Sequence, residues 1–123
     1  MNDQVIEQEI QAKGKTAARV TPADIEANIA SESYFTAADG IRGAIGGDNP
    51  VLAEYVTQPG GPLSLLTFCV STLWNGFTVT GESACASPEN FDAEIGRKVA
   101  RANAVQKIWT LMGYELRSQL AKA

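Results

Sequence analysis

Histidine is absent from this 123-residue chain, and cysteine is scarce. Without an imidazole there is no Ser-His-Asp or Cys-His nucleophile pair and no histidine metal ligand. The two cysteines, Cys69 and Cys85, cannot build a Cys₄ zinc site. In a reducing compartment they read as free thiols. No metal and no cofactor are expected. Long apolar runs are missing too, and nothing approaches the ~20 residues of a membrane span. The start, Met1-Asn2-Asp3-Gln4-Val5, lacks the basic and apolar regions of a signal peptide, so a cytoplasmic location is expected. No internal repeat occurs. The Gly46-Gly47 pair is not a phosphate loop, because no Gly-Lys-Ser/Thr follows it.

What is present fits one domain, residues 1–123. The chain is 45% hydrophobic and 20% charged, apolar enough to bury a core and too apolar for disorder. Its formal net charge of −4 hides an asymmetry. Residues 1–96 hold 13 acidic and 4 basic side chains, whereas residues 97–123 hold 6 basic and 1 acidic. Such a basic segment binds nucleic acid, a nucleotide or an acidic partner, or it pairs with the protein's own acidic half.

Five segments follow from local signals. Residues 1–19 form an N-terminal helix and arm, with Val5, Ile6 and Ile10 as its apolar side and a break at Lys13-Gly14-Lys15. Residues 20–35 read as a helix: Thr21 caps it, Pro22 opens it, and it ends near Ser31–Ser33. Residues 36–63 are a Gly/Pro-rich loop region, with one short helix from Asn49-Pro50 to Tyr55. Residues 64–83 form a β-hairpin around a two-residue Asn75-Gly76 turn. That register pairs Thr72 with Val79 and puts Phe68, Val70, Trp74, Phe77 and Val79 on one face. Thr67, Cys69, Ser71, Thr78, Thr80 and Glu82 fall on the other.

Residues 87–120 form a C-terminal helix with Ser87 as N-cap and a kink or end at Gly113. Phe91, Ile95, Lys98, Ala102, Val105, Trp109, Met112 and Leu116 recur every three or four residues. They read as a coiled-coil-like seam for self-association, with Lys98 its one polar member. The expected fold is a small α+β domain. Helices pack on one face of a small antiparallel sheet, and the chain forms a homo-oligomer that covers its remaining apolar surface.

The stretch Asn75-Gly76-Phe77-Thr78-Val79-Thr80-Gly81-Glu82-Ser83-Ala84-Cys85-Ala86-Ser87-Pro88-Glu89-Asn90-Phe91-Asp92 is distinctive. Val20-Thr21-Pro22-Ala23-Asp24-Ile25 and Tyr34-Phe35-Thr36-Ala37-Ala38 precede it, and Gly96-Arg97-Lys98, Ile108-Trp109 and Gly113-Tyr114 follow. With these, roughly residues 20–120 resemble a family of small phage and prophage proteins. That family is named after gene product forty-nine of one coliphage and gene sixty-six of a Shigella phage. Members often carry a proline after the tryptophan; Thr110 stands there in this chain and lets the helix continue. The resemblance implies a phage or prophage origin and a bacterial cytosol. It assigns no chemistry and no site residues.

Two constellations remain for binding. The junction Gly81 to Pro88 offers Ser83 and Ser87 beside a helix start, which suits an anion unless Glu82, Glu89 and Asp92 repel it. Arg97 and Arg101 share a helical face with Lys98 alongside, which suits a phosphate or carboxylate. The alternative is salt bridging, Glu94 to Lys98 or Asp92 to Arg101. Cys85 lacks a base, and no pair of carboxylates is pinned to a cleft, so no enzyme is expected. Tyr34, Phe35, Trp74 and Trp109 read as core rather than as a base-stacking platform. The leading expectation is a non-enzymatic phage accessory protein in host takeover or counter-defence. It would sequester a small anionic signal of the cyclic-nucleotide type through Arg97, Lys98, Arg101, Ser83 and Ser87, or block a host protein. Nucleic-acid binding by the basic helix and a purely structural assembly role are the alternatives.

Overall fold

The computed structural model describes residues 2–47 and 49–122. The protein is a small α+β domain: a three-stranded antiparallel sheet with strand order β1-β2-β3, short helices around it, and a long C-terminal helix. The elements are α1 (Asp3–Ala12), α2 (Pro22–Asn28), β1 (Ile29–Thr36), α3 (Ala37–Ile45), α4 (Pro50–Val56), β2 (Leu66–Leu73), β3 (Thr78–Ala84) and α5 (Ala93–Lys122). Short 3₁₀ turns at Pro62–Leu65 and Pro88–Asn90 lead into β2 and towards α5.

Local chemistry explains most helix starts. Thr21 and Thr36 each accept from the backbone N–H three residues on, and Asp24 and Asp39 return a bond to the cap, so α2 and α3 both open with a capping box. Asn49 caps α4 by accepting from Leu52 N at 3.0 Å, and Pro50 supplies its first residue. Asp92, not Ser87, caps α5: its Oδ1 accepts from Ile95 N at 3.0 Å. Gly113 does not end α5, which continues to Lys122.

The segment read as one helix over 20–35 divides in two. α2 passes straight into β1, because Ile29 is at once the C-cap and an extended residue (φ −85°, ψ 109°). Pairing with β2 outweighs local helix propensity here, and a bulge around Ala30 absorbs the change of direction. The region 36–63 is likewise not a plain loop, since it holds α3 as well as α4. Arg42 ties them by donating to Thr57 Oγ1 at 3.0 Å.

The hairpin register is one residue away from the one its sequence suggests. Thr72 pairs with Thr78 and Ser71 with Val79. The loop has three residues, Trp74-Asn75-Gly76. Gly76 N donates to Leu73 O at 2.9 Å, Leu73 N to Phe77 O at 2.8 Å, and Gly76 takes φ +89°. Asn75 Oδ1 accepts from Phe77 N at 2.9 Å, so the Asn-Gly pair builds a turn with a left-handed third residue rather than a two-residue turn. A one-residue slip exchanges faces. The face under α5 is Thr67, Cys69, Ser71 and Leu73 from β2 with Val79 and Gly81 from β3, all buried. Phe68 and Val70 lie on the opposite face. There Phe68 packs on Phe35 (ring centroids 5.6 Å apart), and Gly40 of α3 closes over the Phe35 ring. Helices therefore reach both faces of the sheet.

Small residues win the inner face because α5 lies very close to the sheet. A Cβ at Gly81 would overlap the Ala100 carbonyl oxygen and the Ala104 nitrogen. A Cβ at Gly96 would sit 3.0 Å from Thr67 Oγ1. Larger side chains on this face would lift the helix off. Ile25, Leu73, Val79, Val105 and Ile108 supply the larger side chains of the core.

Candidate functional site

α5 presents four rows of residues spaced four apart, and each meets a different environment. Gly96, Ala100, Ala104 and Ile108 are buried against the sheet. Ile95, Val99 and Asn103 lie on the β3 flank, where Asn103 Nδ2 donates to Glu82 O at 2.7 Å. Arg97, Arg101, Val105 and Trp109 lie on the opposite flank, towards β1, α2 and α1. Glu94, Lys98, Ala102 and Gln106 face outwards and are exposed.

The residues read as one seam are consequently spread around the helix. Phe91 precedes α5 in the 3₁₀ connection, Ile95 is 60% exposed on the β3 flank, and Lys98 and Ala102 face outwards. Val105 is buried, while Trp109, Met112 and Leu116 are half-buried. The row Gly96, Ala100, Ala104 and Ile108, packed against the sheet, takes the place of the coiled-coil seam.

The anion candidates divide similarly. Arg97, Lys98 and Arg101 come together with Tyr34 and Glu94 around a shallow groove of about 240 Å³. Arg101 is committed: its Nε donates to Glu32 Oε1 at 2.8 Å and its Nη2 to Glu26 Oε2 at 2.6 Å. Hydrogen bonding to Glu26 dominates in holding the guanidinium charged, well above its ordinary range, with Glu32 adding to it. Glu32 also accepts from Tyr34 Oη at 2.7 Å. Burial, and then that bond to a carboxylate, push the Tyr34 phenol up. Lys98 pairs with Glu94 at 3.2 Å, both exposed. Arg97 has no ion pair among the described residues. Ser83 and Ser87 are not part of this groove. Ser83 sits in β3 beside Glu82, on the other flank of α5. Ser87 donates to Glu89 Oε2 at 2.6 Å and holds that carboxyl below its usual range. The small-residue junction meets the carboxylate of Glu89 rather than the cations.

Three carboxylates, Glu26, Glu32 and Glu94, thus interleave the three cations, so this flank is not a continuous positive face for nucleic acid. The thiols are apart: Cys69 is fully buried, and half-buried Cys85 donates to Ser87 O at 3.2 Å. Among the described residues no cluster of three or more Cys, Asp or Glu is placed to hold a metal ion, and no helix is long and apolar enough to cross a membrane.

The feature the sequence reading missed is the hairpin tip. Trp74 is 71% exposed and Phe77 56%, where both had been assigned to an apolar face. Trp74 and Asn75 line an open groove of about 600 Å³ with Met112 of α5 and Ala27 and Asn28 of α2, rimmed by Asp24 and Glu115. A three-residue loop is the signal that could have exposed the tip, since it moves Trp74 out of the ladder and into the turn.

Comparison with curated proteins and with solved structures gives no match. The sequence pattern of the phage protein (N4 Gp49/phage Sf6 gene 66) family matches residues 20–120, from the approach to α2 almost to the end of α5, and the chain belongs to that family.

Proposed function

We propose that this phage protein is a non-enzymatic accessory binding protein of host takeover or counter-defence, and that it docks on a host protein through the β2–β3 hairpin tip. One observation carries the reading: two large aromatics, Trp74 and Phe77, stand in the open on a well-hydrogen-bonded turn. Exposed aromatics on a rigid support contribute disproportionately to protein interfaces, because they bury much apolar area while losing little side-chain freedom. The acidic rim of Asp24 and Glu115 favours a partner pocket that is apolar inside and basic at its edge. The bacterial cytoplasm is the compartment this role requires.

The test is affinity capture from host lysate with the wild-type protein and with W74A/F77A. A protein retained by the first and lost by the second supports the reading. Retention by both, or by neither, counts against it.

A second reading, sequestration of a small anionic signal, draws on Arg97, which lines the Tyr34 groove without an ion-pair partner among the described residues. Native mass spectrometry with cyclic nucleotides and short oligonucleotides tests it. The same spectra report self-association. A bound nucleotide lost in R97A supports sequestration, and an empty protein across the panel sinks it.

A further inference from the structure

The N-terminal helix α1 differs from the rest of the molecule in three respects. It lies outside residues 20–120, the segment that carries the family pattern. None of its residues is buried, and Val5 and Ile6 remain 49% and 40% exposed. It is held mainly by two polar clasps. Asp3 Oδ2 accepts from Trp109 Nε1 at 3.0 Å, and Glu7 takes both arms of the Arg19 guanidinium, at 2.6 and 2.7 Å. Between α1 and α5 an open groove of about 340 Å³ remains, with Ile6 and Ile10 on one side and Val20, Pro22, Gln106 and Trp109 on the other.

A ten-residue helix is marginal by itself, so α1 owes its form to its docking. Its contacts are few and solvent-accessible, which places it at the low end of local stability. The groove wall opposite α1 offers the apolar surface of Val20 and Pro22 and the Trp109 indole N–H, and the Arg19 guanidinium stands next to it, bonded to Glu7. α1 answers with Asp3 and Glu7, while Glu9 pairs with Lys13 at 3.0 Å away from the groove. The complementarity is therefore that of a receptor for an acidic amphipathic helix.

We propose that the surface between Trp109 and Arg19 is a helix-binding site, that α1 is a displaceable strap covering part of it in cis, and that its other occupant is an acidic amphipathic helix presented by a partner protein. Such an occupant places one carboxylate on the Trp109 indole and a second, one turn on, across the Arg19 fork. It anchors two apolar side chains against Val20 and Pro22. The site shares no lining residue with the hairpin-tip groove and stands or falls independently of the function proposed above.

The chain has two tryptophans, so an ¹⁵N spectrum shows two indole resonances, one of which reports the Asp3 contact. The tethered strap competes at an effective concentration in the millimolar range, so it must be weakened before a second helix can be seen. The full-length D3N/E7Q variant does this, and an unlabelled synthetic peptide of residues 2–13 supplies the wild-type helix in trans. The variant is expected to shift the Trp109 indole resonance and to speed amide exchange in α1 at least tenfold while β2 is unaffected. Adding the peptide at millimolar concentration is expected to restore the wild-type indole position. A control peptide with Asp3 and Glu7 replaced by their amides should restore nothing. An undocked strap whose indole resonance the wild-type peptide leaves unmoved overturns the receptor. Unchanged exchange and indole position in the variant overturn the clasps. Should D3N/E7Q also loosen β2, the single R19Q variant gives the same readout from the groove side. There, strap release without loss of β2 protection is the supporting result, and an undisturbed strap is the refuting one.

Discussion

Replacing Gly81 with alanine adds one methyl group, yet it is expected to be among the most damaging substitutions in the chain. The added Cβ would run into the Ala100 carbonyl oxygen and the Ala104 nitrogen, and would lie 2.9 Å from Ala104 Cα. These are backbone atoms in the middle of a 30-residue helix, so no rotamer change relieves the overlap. Either α5 lifts from β2 and β3, or β3 leaves its register. Overpacking against movable side chains costs roughly 1–3 kcal/mol. Against a fixed backbone the upper part of that range is the minimum, about 3 kcal/mol. For a domain this size, with a urea m-value of roughly 1.5 kcal/mol/M, the unfolding midpoint should fall by about 2 M. The control is Gly113→Ala, where nothing lies within 4 Å of the new Cβ and the helix interior gains propensity. That variant should gain roughly 0.5–1 kcal/mol and unfold at slightly higher urea. If Gly81→Ala unfolds at the wild-type midpoint, the close approach of α5 to the sheet is wrong.

Thr67 Oγ1 is buried under Gly96 without a hydrogen-bond partner, so Thr67→Val, equal in shape, should leave the urea midpoint unchanged or raise it, by up to about 1 kcal/mol of stability. Arg101→Met strands the half-buried Glu32 and should cost roughly 1–3 kcal/mol, whereas Glu26→Gln, at the exposed end of the same network, should cost under about 1 kcal/mol; urea titration of the pair separates them. Arg19 holds the Glu7 carboxyl down at about 2, so its docking contribution is complete above the ordinary carboxylate range and is lost as pH falls from about 4.5 towards 2. Amide exchange in α1 should accelerate over that window, and Arg19→Gln should remove the pH dependence. W74A/F77A should unfold within about 0.5 kcal/mol of wild type, because both rings are largely exposed; a larger loss would make them structural.

The sequence was informative where one local signal decides the outcome. Thr21-Pro22 opens α2, Asn49-Pro50 opens α4, and the long helix read over 87–120 is α5, though it begins only at Ala93. It misled where a tertiary partner chooses between local options. Ile29 to Ser33 looked like the end of a helix, but β2 draws them, with Tyr34 and Phe35, into β1. Asn75-Gly76 suits a two-residue and a three-residue loop alike, and burial of the small face under α5 selects the second. The heptad spacing of α5 does not choose the buried face, because the close approach to the sheet admits only small side chains, and Gly96, Ala100 and Ala104 form the row that touches it. For the candidate sites, the clustering of Arg97, Lys98 and Arg101 was visible as helical spacing. Their neutralisation was not, since Glu26 and Glu32 are about 70 residues away in the chain. Ser83 and Ser87 are near the cations in sequence, yet the helix body separates them in space. The exposed hairpin tip depended on a register that pattern alone placed one residue off.

The measurement that bears most directly on the proposed function is paired capture on immobilised wild-type and W74A/F77A protein, matched for urea midpoint, from lysate of a host cell. A discrete host protein bound by the wild type, released by excess soluble wild type and absent from the variant is the expected result. Identical capture profiles on the two proteins would contradict a binding role for the hairpin tip and turn attention to the Arg97 flank.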